Sequence, residues 1–183
     1  MIDYKLVCLI FLVFGFDIMK SQNINYKTLL GIEHSSLVGD SIPLEKNTFT
    51  AFEKMRKAAL NDGIKIKVIS GFRDFKRQKE IWNGKFLRFT KEKKLSGIDA
   101  INEIIRFSTI PGTSRHHWGT EIDVIDEKYK NEKNPLIAAK YENDGIFSKL
   151  KKWMDENSEK FGFYLVYTDD SSREGFEYEP WHY

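Results

Sequence analysis

SRHHWGTEIDV, running from Ser114 to Val124, places two histidines, a glycine and two carboxylates within eleven residues. Neither His116 nor His117 stands at i, i+4 from Asp123, so one helix face cannot present the pair. They converge if the chain turns at Gly119 and leaves as a strand. On that strand Thr120, Ile122 and Val124 point to one side and Glu121 and Asp123 to the other. A third metal donor must then come from a distant part of the chain, where the histidines are His34 and His182. His182 closes the run Glu179-Pro180-Trp181-His182, which supplies a matching set of groups. His34 lies among Glu33, Ser35 and Ser36, the setting of an ordinary solvated side chain.

Composition narrows which metals and partners suit such a site. The chain has 183 residues, 41% hydrophobic and 31% charged, which suits one globular domain with a real core. A formal charge of +2 is too small to indicate a nucleic-acid partner. The most basic stretch, Lys85, Arg88, Lys91, Lys93 and Lys94, reads as a solvated face. At the N-terminus Lys5 precedes an apolar run from Leu6 to Phe14, shorter than the roughly 20 residues a membrane span needs. Residues 1–21 are therefore expected to be a cleaved signal peptide, without stable membrane insertion afterwards. The single cysteine, Cys8, lies inside this segment, so the mature chain has no disulfide and no thiolate ligand. Any metal must be held by histidine and carboxylate, a donor set that suits catalytic zinc.

Residues 22–45 read as an N-terminal extension and 46–183 as the domain. Phe49, Phe52, Met55, Ala59 and Leu60 predict a helix over 47–61, and Ile64, Ile66 and Val68 a half-buried strand. Ser70-Gly71-Phe72-Arg73-Asp74 forms a strand-to-helix turn in which Asp74 is the N-cap of a helix through Phe86. Arg73 projects at the strand end, free to grip a carboxylate or to pair with a neighbouring acid. Further helices are expected within 91–107, covering the core, and over 145–159, and Phe163 to Tyr167 alternates as a strand. The fold class is α+β, with short antiparallel strands and helices outside.

With His116, Asp123 and His182 as ligands, Glu179 is the group left to move the proton. It stands three residues from a ligand, with Pro180 restricting the backbone between them. Trp181 packs beneath the ligands, and Arg73 supplies a positive charge for a substrate carboxylate or an oxyanion. Each feature has a plain alternative: a surface histidine pair, a capping aspartate, ordinary terminal packing. Their coincidence favours a zinc hydrolase.

These residues resemble the VanY-like D-alanyl-D-alanine carboxypeptidases, within the LAS group of zinc peptidases. The family blocks Ser-Gly-Tyr-Arg with a later glutamine, Ser-x-His-x-x-Gly-x-Ala-x-Asp and Glu-x-Trp-His read here as three stretches in family order. They are Ser70-Gly71-Phe72-Arg73 with Gln78, Ser114 to Asp123, and Glu179 to His182. The resemblance implies a LAS-type fold around a small, mainly antiparallel sheet flanked by helices. It also implies one zinc per chain on His116, Asp123 and His182, so choosing His116 over His117. Glu179 becomes the catalytic base, Arg73 a contact to substrate or transition state, and Gln78 and Ser114 substrate contacts or braces. The implied reaction removes the terminal D-alanine of a peptidoglycan stem peptide, by an exported monomer of the bacterial periplasm or cell envelope. Alternatives are an L,D-carboxypeptidase, a D,D-dipeptidase or an endopeptidase on the same core, or a non-catalytic zinc-containing envelope module. Two positions depart from the family pattern. Phe72 replaces tyrosine, and Glu121 replaces alanine, where it braces a ligand, pairs with Arg115 or a lysine, or alters metal preference.

Overall fold

The chain has an α+β architecture in which two small antiparallel sheets are flanked by helices. The computed structural model describes residues 25–34 and 36–183. The expected signal peptide lies outside the described residues, among which no helix is long and apolar enough to cross a membrane. A short helix α1 (Tyr26–Leu29) precedes a small ladder of β1 (Leu37–Val38) and β2 (Leu44–Glu45). Helix α2 (Lys46–Asn61) follows at once, its first turn capped by the Glu45 carboxylate, which accepts from the backbone N–H groups of Asn47 and Thr48. The boundary expected at residue 46 coincides with the start of α2 and with no break in packing, since Leu44 is buried in the main core.

Strand β3 (Ile66–Ser70) pairs antiparallel with β4 (Asp123–Asp126). The register runs Ile66 to Asp126 and Val68 to Val124, then slips so that Ser70 faces Asp123. Two steps on β3 match one on β4, the signature of a bulge at Ile69. In an unbroken register Ser70, two residues after Val68, would lie on the same side as Val68; with Ile69 left unpaired, Ser70 meets Asp123. The chain's last residues run along the other edge of β4. Ile122 and Tyr183 exchange backbone hydrogen bonds of 2.9 and 3.1 Å, and the Val124 N–H donates to Trp181 O at 3.1 Å.

The core lies between this sheet, α2 and a later helix, α5 (Ser148–Asn157). Met55, Phe147, Leu150 and Met154 are fully enclosed there, each contributing about 1.5–3 kcal/mol by burial. Helices α3 (Phe75–Leu87) and α4 (Gly97–Ile105) stand apart with a cluster of their own, Phe89, Ala100 and Ile104.

Several local expectations change. The helix expected within 91–107 covers the core of this small cluster and not the main one; a π-type turn (Arg88–Glu92) precedes it. The 145–159 helix begins at Ser148, because Gly145 sits so close to the Lys140 carbonyl that it belongs to the preceding turn. Thr120 is exposed and β4 starts only at Asp123, although Ile122 and Val124 do face the core. Phe163 to Tyr167 forms no regular strand. Its contacts are single backbone bonds, Val166 N–H to His182 O and Glu179 N–H to Tyr167 O, because the terminal residues it adjoins are already paired with β4.

Candidate metal centre and cavity

Four elements meet at one cavity of about 530 Å³: the end of β3, the face of α3, the turn before β4 and the terminal segment. The turn Arg115–Trp118 is a single 3₁₀ helix, and Gly119 ends it with φ at +69°. A Cβ there would stand 2.9 Å from the Glu45 nitrogen, whose N–H donates to Gly119 O, so glycine meets both a conformational and a steric demand.

The two adjacent histidines point to different tasks. His116 sets its Nδ1 2.8 Å from Gly71 O and turns Nε2 to Asp123 Oδ2, 3.5 Å away. His117 is held by backbone at both ring nitrogens: Nε2 accepts from the Gly112 N–H at 3.1 Å, so Nδ1 donates to Arg73 O at 2.5 Å. Burial pushes the His116 pKa well below the usual imidazole value, with the Arg73 charge adding to the effect, and keeps the ring neutral. A neutral ring with one nitrogen fixed on a carbonyl and the other bare is the form that binds a metal.

Asp123 is almost wholly buried, and its Oδ1 has no hydrogen-bond partner. Burial raises its pKa to about 6, helped by the charge of Glu179 and opposed by His182 and Arg73. The bare Oδ1 lies 3.5 Å from His182 Nδ1. Two ligands each about 2.1 Å from a tetrahedral ion stand about 3.4 Å apart. Both Asp123–imidazole distances match that spacing, and an unpaired buried carboxylate oxygen is what a cation would satisfy. The donor set fits a zinc ion.

His182 contacts three carboxylates. Nδ1 lies 3.0 Å from Glu179 Oε2 as well as near Asp123, and Nε2 lies 2.8 Å from Glu121 Oε2. Burial alone would lower its pKa, but the hydrogen bonds to Glu121 and Glu179 and the charge of Asp123 outweigh it and hold the ring's pKa at about 10. Glu121 also belongs to a buried trio with His116 and His182 whose donor atoms lie within 4.8 Å of one another. Its other oxygen is bonded to Arg115 Nε.

Arg73 reaches the same centre, with Nη2 3.9 Å from Asp123 Oδ2. Its guanidinium donates to Gln78 Oε1 at 2.6 Å and to Ser70 Oγ at 2.9 Å, and the Gln78 amide donates in turn to Thr109 O at 2.8 Å. Gln78, 1% exposed, is thus a brace for Arg73. Ser114 is buried and lines the cavity, and Trp181 packs in the core behind it against Tyr141. Phe72 keeps its ring, stacked edge-on against the exposed His34.

The family model for VanY, described as D-alanyl-D-alanine carboxypeptidase, matches residues 41–183. The chain belongs to the VanY family. Within this family it is 33% identical over 130 residues to a D-alanyl-D-alanine carboxypeptidase of Enterococcus faecalis, covering 69% of this chain and 42% of that protein. The chain spans between 38% and 57% of the length of the curated relatives it matches. Among solved structures it resembles VanYB in complex with D-alanine-D-alanine, at TM-score 0.67 and 26% identity, over 82% of this chain and 76% of that one. It also resembles a variant of the vancomycin-resistance D,D-pentapeptidase VanY in complex with Zn(II), at TM-score 0.64 and 26% identity, over 81% and 77% of the two chains. These are LAS-type zinc peptidases, the fold expected from the motifs.

Sequence reasoning missed several cavity residues. Lys85, in the stretch whose charge predicts a solvated face, lines the cavity, with Nζ 2.5 Å from Ser108 Oγ. Burial lowers its pKa. The signal was available, since Lys85 follows Gln78 by seven residues and so shares its helix face. Tyr167 also lines the cavity, its ring edge-on to His182 at 4.9 Å. Thr109, which anchors Gln78 through a backbone carbonyl, left no mark in the sequence.

Proposed function

We propose that this chain is a zinc-dependent carboxypeptidase that removes the C-terminal D-alanine of peptidoglycan stem peptides. The observation that carries the reading is the bare, buried Asp123 Oδ1, set at ligand spacing from His182 while Asp123 Oδ2 stands at the same spacing from His116. His116, Asp123 and His182 would hold the ion, which would supply polarisation of the scissile carbonyl and would lower the pKa of water from roughly 16 toward about 7.

The chain's own groups do the rest. Glu179, beside His182 Nδ1, accepts the proton of the attacking water and returns it to the leaving amine. Arg73, fixed by Gln78 and Ser70, presents its guanidinium to the developing oxyanion without having to reorganise. Lys85 on α3, one of several cations that line the cavity, takes the terminal carboxylate of the peptide. Tyr167 and Trp181 form the apolar walls that limit water around the reacting bond. Export to the periplasm or cell envelope, and a monomeric state, belong to the same reading.

The test is incubation of zinc-loaded protein with a defined stem pentapeptide, with and without chelator, and product identification by mass. Loss of one alanine, stopped by the chelator, is expected. Release of a dipeptide, or cleavage of the tetrapeptide alone, would reassign the bond to a D,D-dipeptidase or an L,D-carboxypeptidase. A folded, zinc-loaded protein that cleaves no peptide or muropeptide would leave a binding module.

A further inference from the structure

Glu121 stands where the family pattern has alanine, yet it is 2% exposed and its carboxylate is engaged on both oxygens. One oxygen meets Arg115 Nε and the other lies 2.8 Å from His182 Nε2. A buried carboxylate left without partners is costly, so a side chain introduced here and fully paired calls for a function.

Two roles compete. Glu121 could itself be a metal donor with His116 and His182, or it could hold His182 from outside while the opposite nitrogen faces the ion. Distance separates them. Two donors on one tetrahedral ion stand about 3.4 Å apart. The 2.8 Å between Glu121 Oε2 and His182 Nε2 is too short for that and is the length of a charge-assisted hydrogen bond. The 3.5 Å separations at Asp123 have the ligand spacing instead. A neutral imidazole carries one N–H. His182 is held by carboxylates at both nitrogens, Nδ1 lying 3.0 Å from Glu179 Oε2 and 3.5 Å from Asp123 Oδ1, so a metal would take the place of the Nδ1 hydrogen while the Nε2 hydrogen stays on Glu121.

We propose that Arg115 and Glu121 form a positioning pair that fixes the ring orientation and tautomer of His182 and thereby tightens zinc binding. The carboxylate polarises the imidazole and makes it a better donor, and Arg115, half exposed at the cavity rim, keeps the carboxylate aimed at the ring. The pair supplies from a strand end what a backbone carbonyl, Gly71 O, supplies to His116. The two histidine ligands are thus oriented by different means, one neutral and one charged.

This rests on the metal reading above but is measured without turnover. Zinc affinity is determined by competition with a chromophoric chelator for the full chain and for Glu121→Ala, Glu121→Gln and Arg115→Ala. The ring nitrogens of His182 are read by ¹⁵N NMR in the zinc-loaded protein. Glu121→Ala should weaken zinc about 10- to 100-fold. Glu121→Gln should recover part of the loss, since its amide oxygen still accepts from Nε2–H. Arg115→Ala should cost only a few-fold, and in the parent protein Nε2 should be protonated with Nδ1 on the metal. If Glu121→Ala does not fold, the Gln variant and the nitrogen assignment carry the test alone. Unchanged affinity in the folded Ala or Gln variant would overturn the proposal, as would zinc on Nε2, which would make Glu121 a ligand. A parent protein that takes up no zinc would overturn both this inference and the metal reading; one that binds zinc but cleaves nothing would leave this inference standing.

Discussion

The two sides of the cavity are built differently. On one, Glu121, Asp123, Glu179 and His182 come from β4, the residues just before it and the terminal segment, joined by backbone pairing and by contacts of 2.8–3.5 Å. On the other, Lys85, Arg88 and Lys93 come from α3, the π-type turn and the residue that follows it, with Arg88 and Lys93 resting over the Phe89 ring at 5.0 and 5.3 Å. The acidic side is over-determined, and each group there is held by at least one other. The basic side hangs on a small cluster separate from the main core. Bond-making chemistry tolerates little displacement, whereas holding a charged end of a substrate tolerates more. On the proposed function, chemistry and substrate choice rest on separately supported parts of the fold.

That contrast can be broken most severely on the acidic side. Asp123→Ala removes the carboxylate shared by both histidines, and isothermal titration should find no stoichiometric zinc uptake and no peptide cleavage. Glu179→Gln keeps the shape and the zinc but loses the proton carrier. A fall in kcat of about 10²- to 10⁴-fold is expected, with zinc content by metal analysis unchanged. Gln78→Ala frees Arg73 without touching any ligand; steady-state assays should show kcat down about tenfold, equivalent to about 1.4 kcal/mol of transition-state stabilisation. The smallest effect belongs to the basic side. Lys85→Met should raise KM about fivefold with kcat nearly constant, as loss of a partly solvated charge contact of about 1 kcal/mol predicts. A kcat loss in Lys85→Met as large as that of Gln78→Ala would erase the distinction between the two sides.

The same contrast separates what the sequence made legible from what it did not. His116, Asp123, Glu179 and His182 could be picked out because the chemistry needs those residue types at those spacings, and the structure does bring the four side chains together. α2, α3 and α5 followed from apolar periodicity and from the capping residue Asp74. Phe163 to Tyr167 misled because alternation reports which side chains are buried, not whether a neighbouring strand is free to pair. The charge of Lys85 points to solvent, whereas its helix face, shared with Gln78, points to the cavity. Glu121 was open between roles because its meaning depends on which nitrogen of His182 it meets, a fact of ring orientation that no linear pattern contains.

The bulge at Ile69 carries a consequence for heredity. Ile69 is no part of the cavity lining, yet as an unpaired residue it bends the strand just before Ser70 and the Arg73 that follows. Loss of that one codon would leave every cavity side chain encoded and Ser70 still opposite Asp123, but it would straighten the strand that aims the turn carrying the arginine. At this place the gene specifies the site by counting, and a reading of letters alone would judge the deleted version intact.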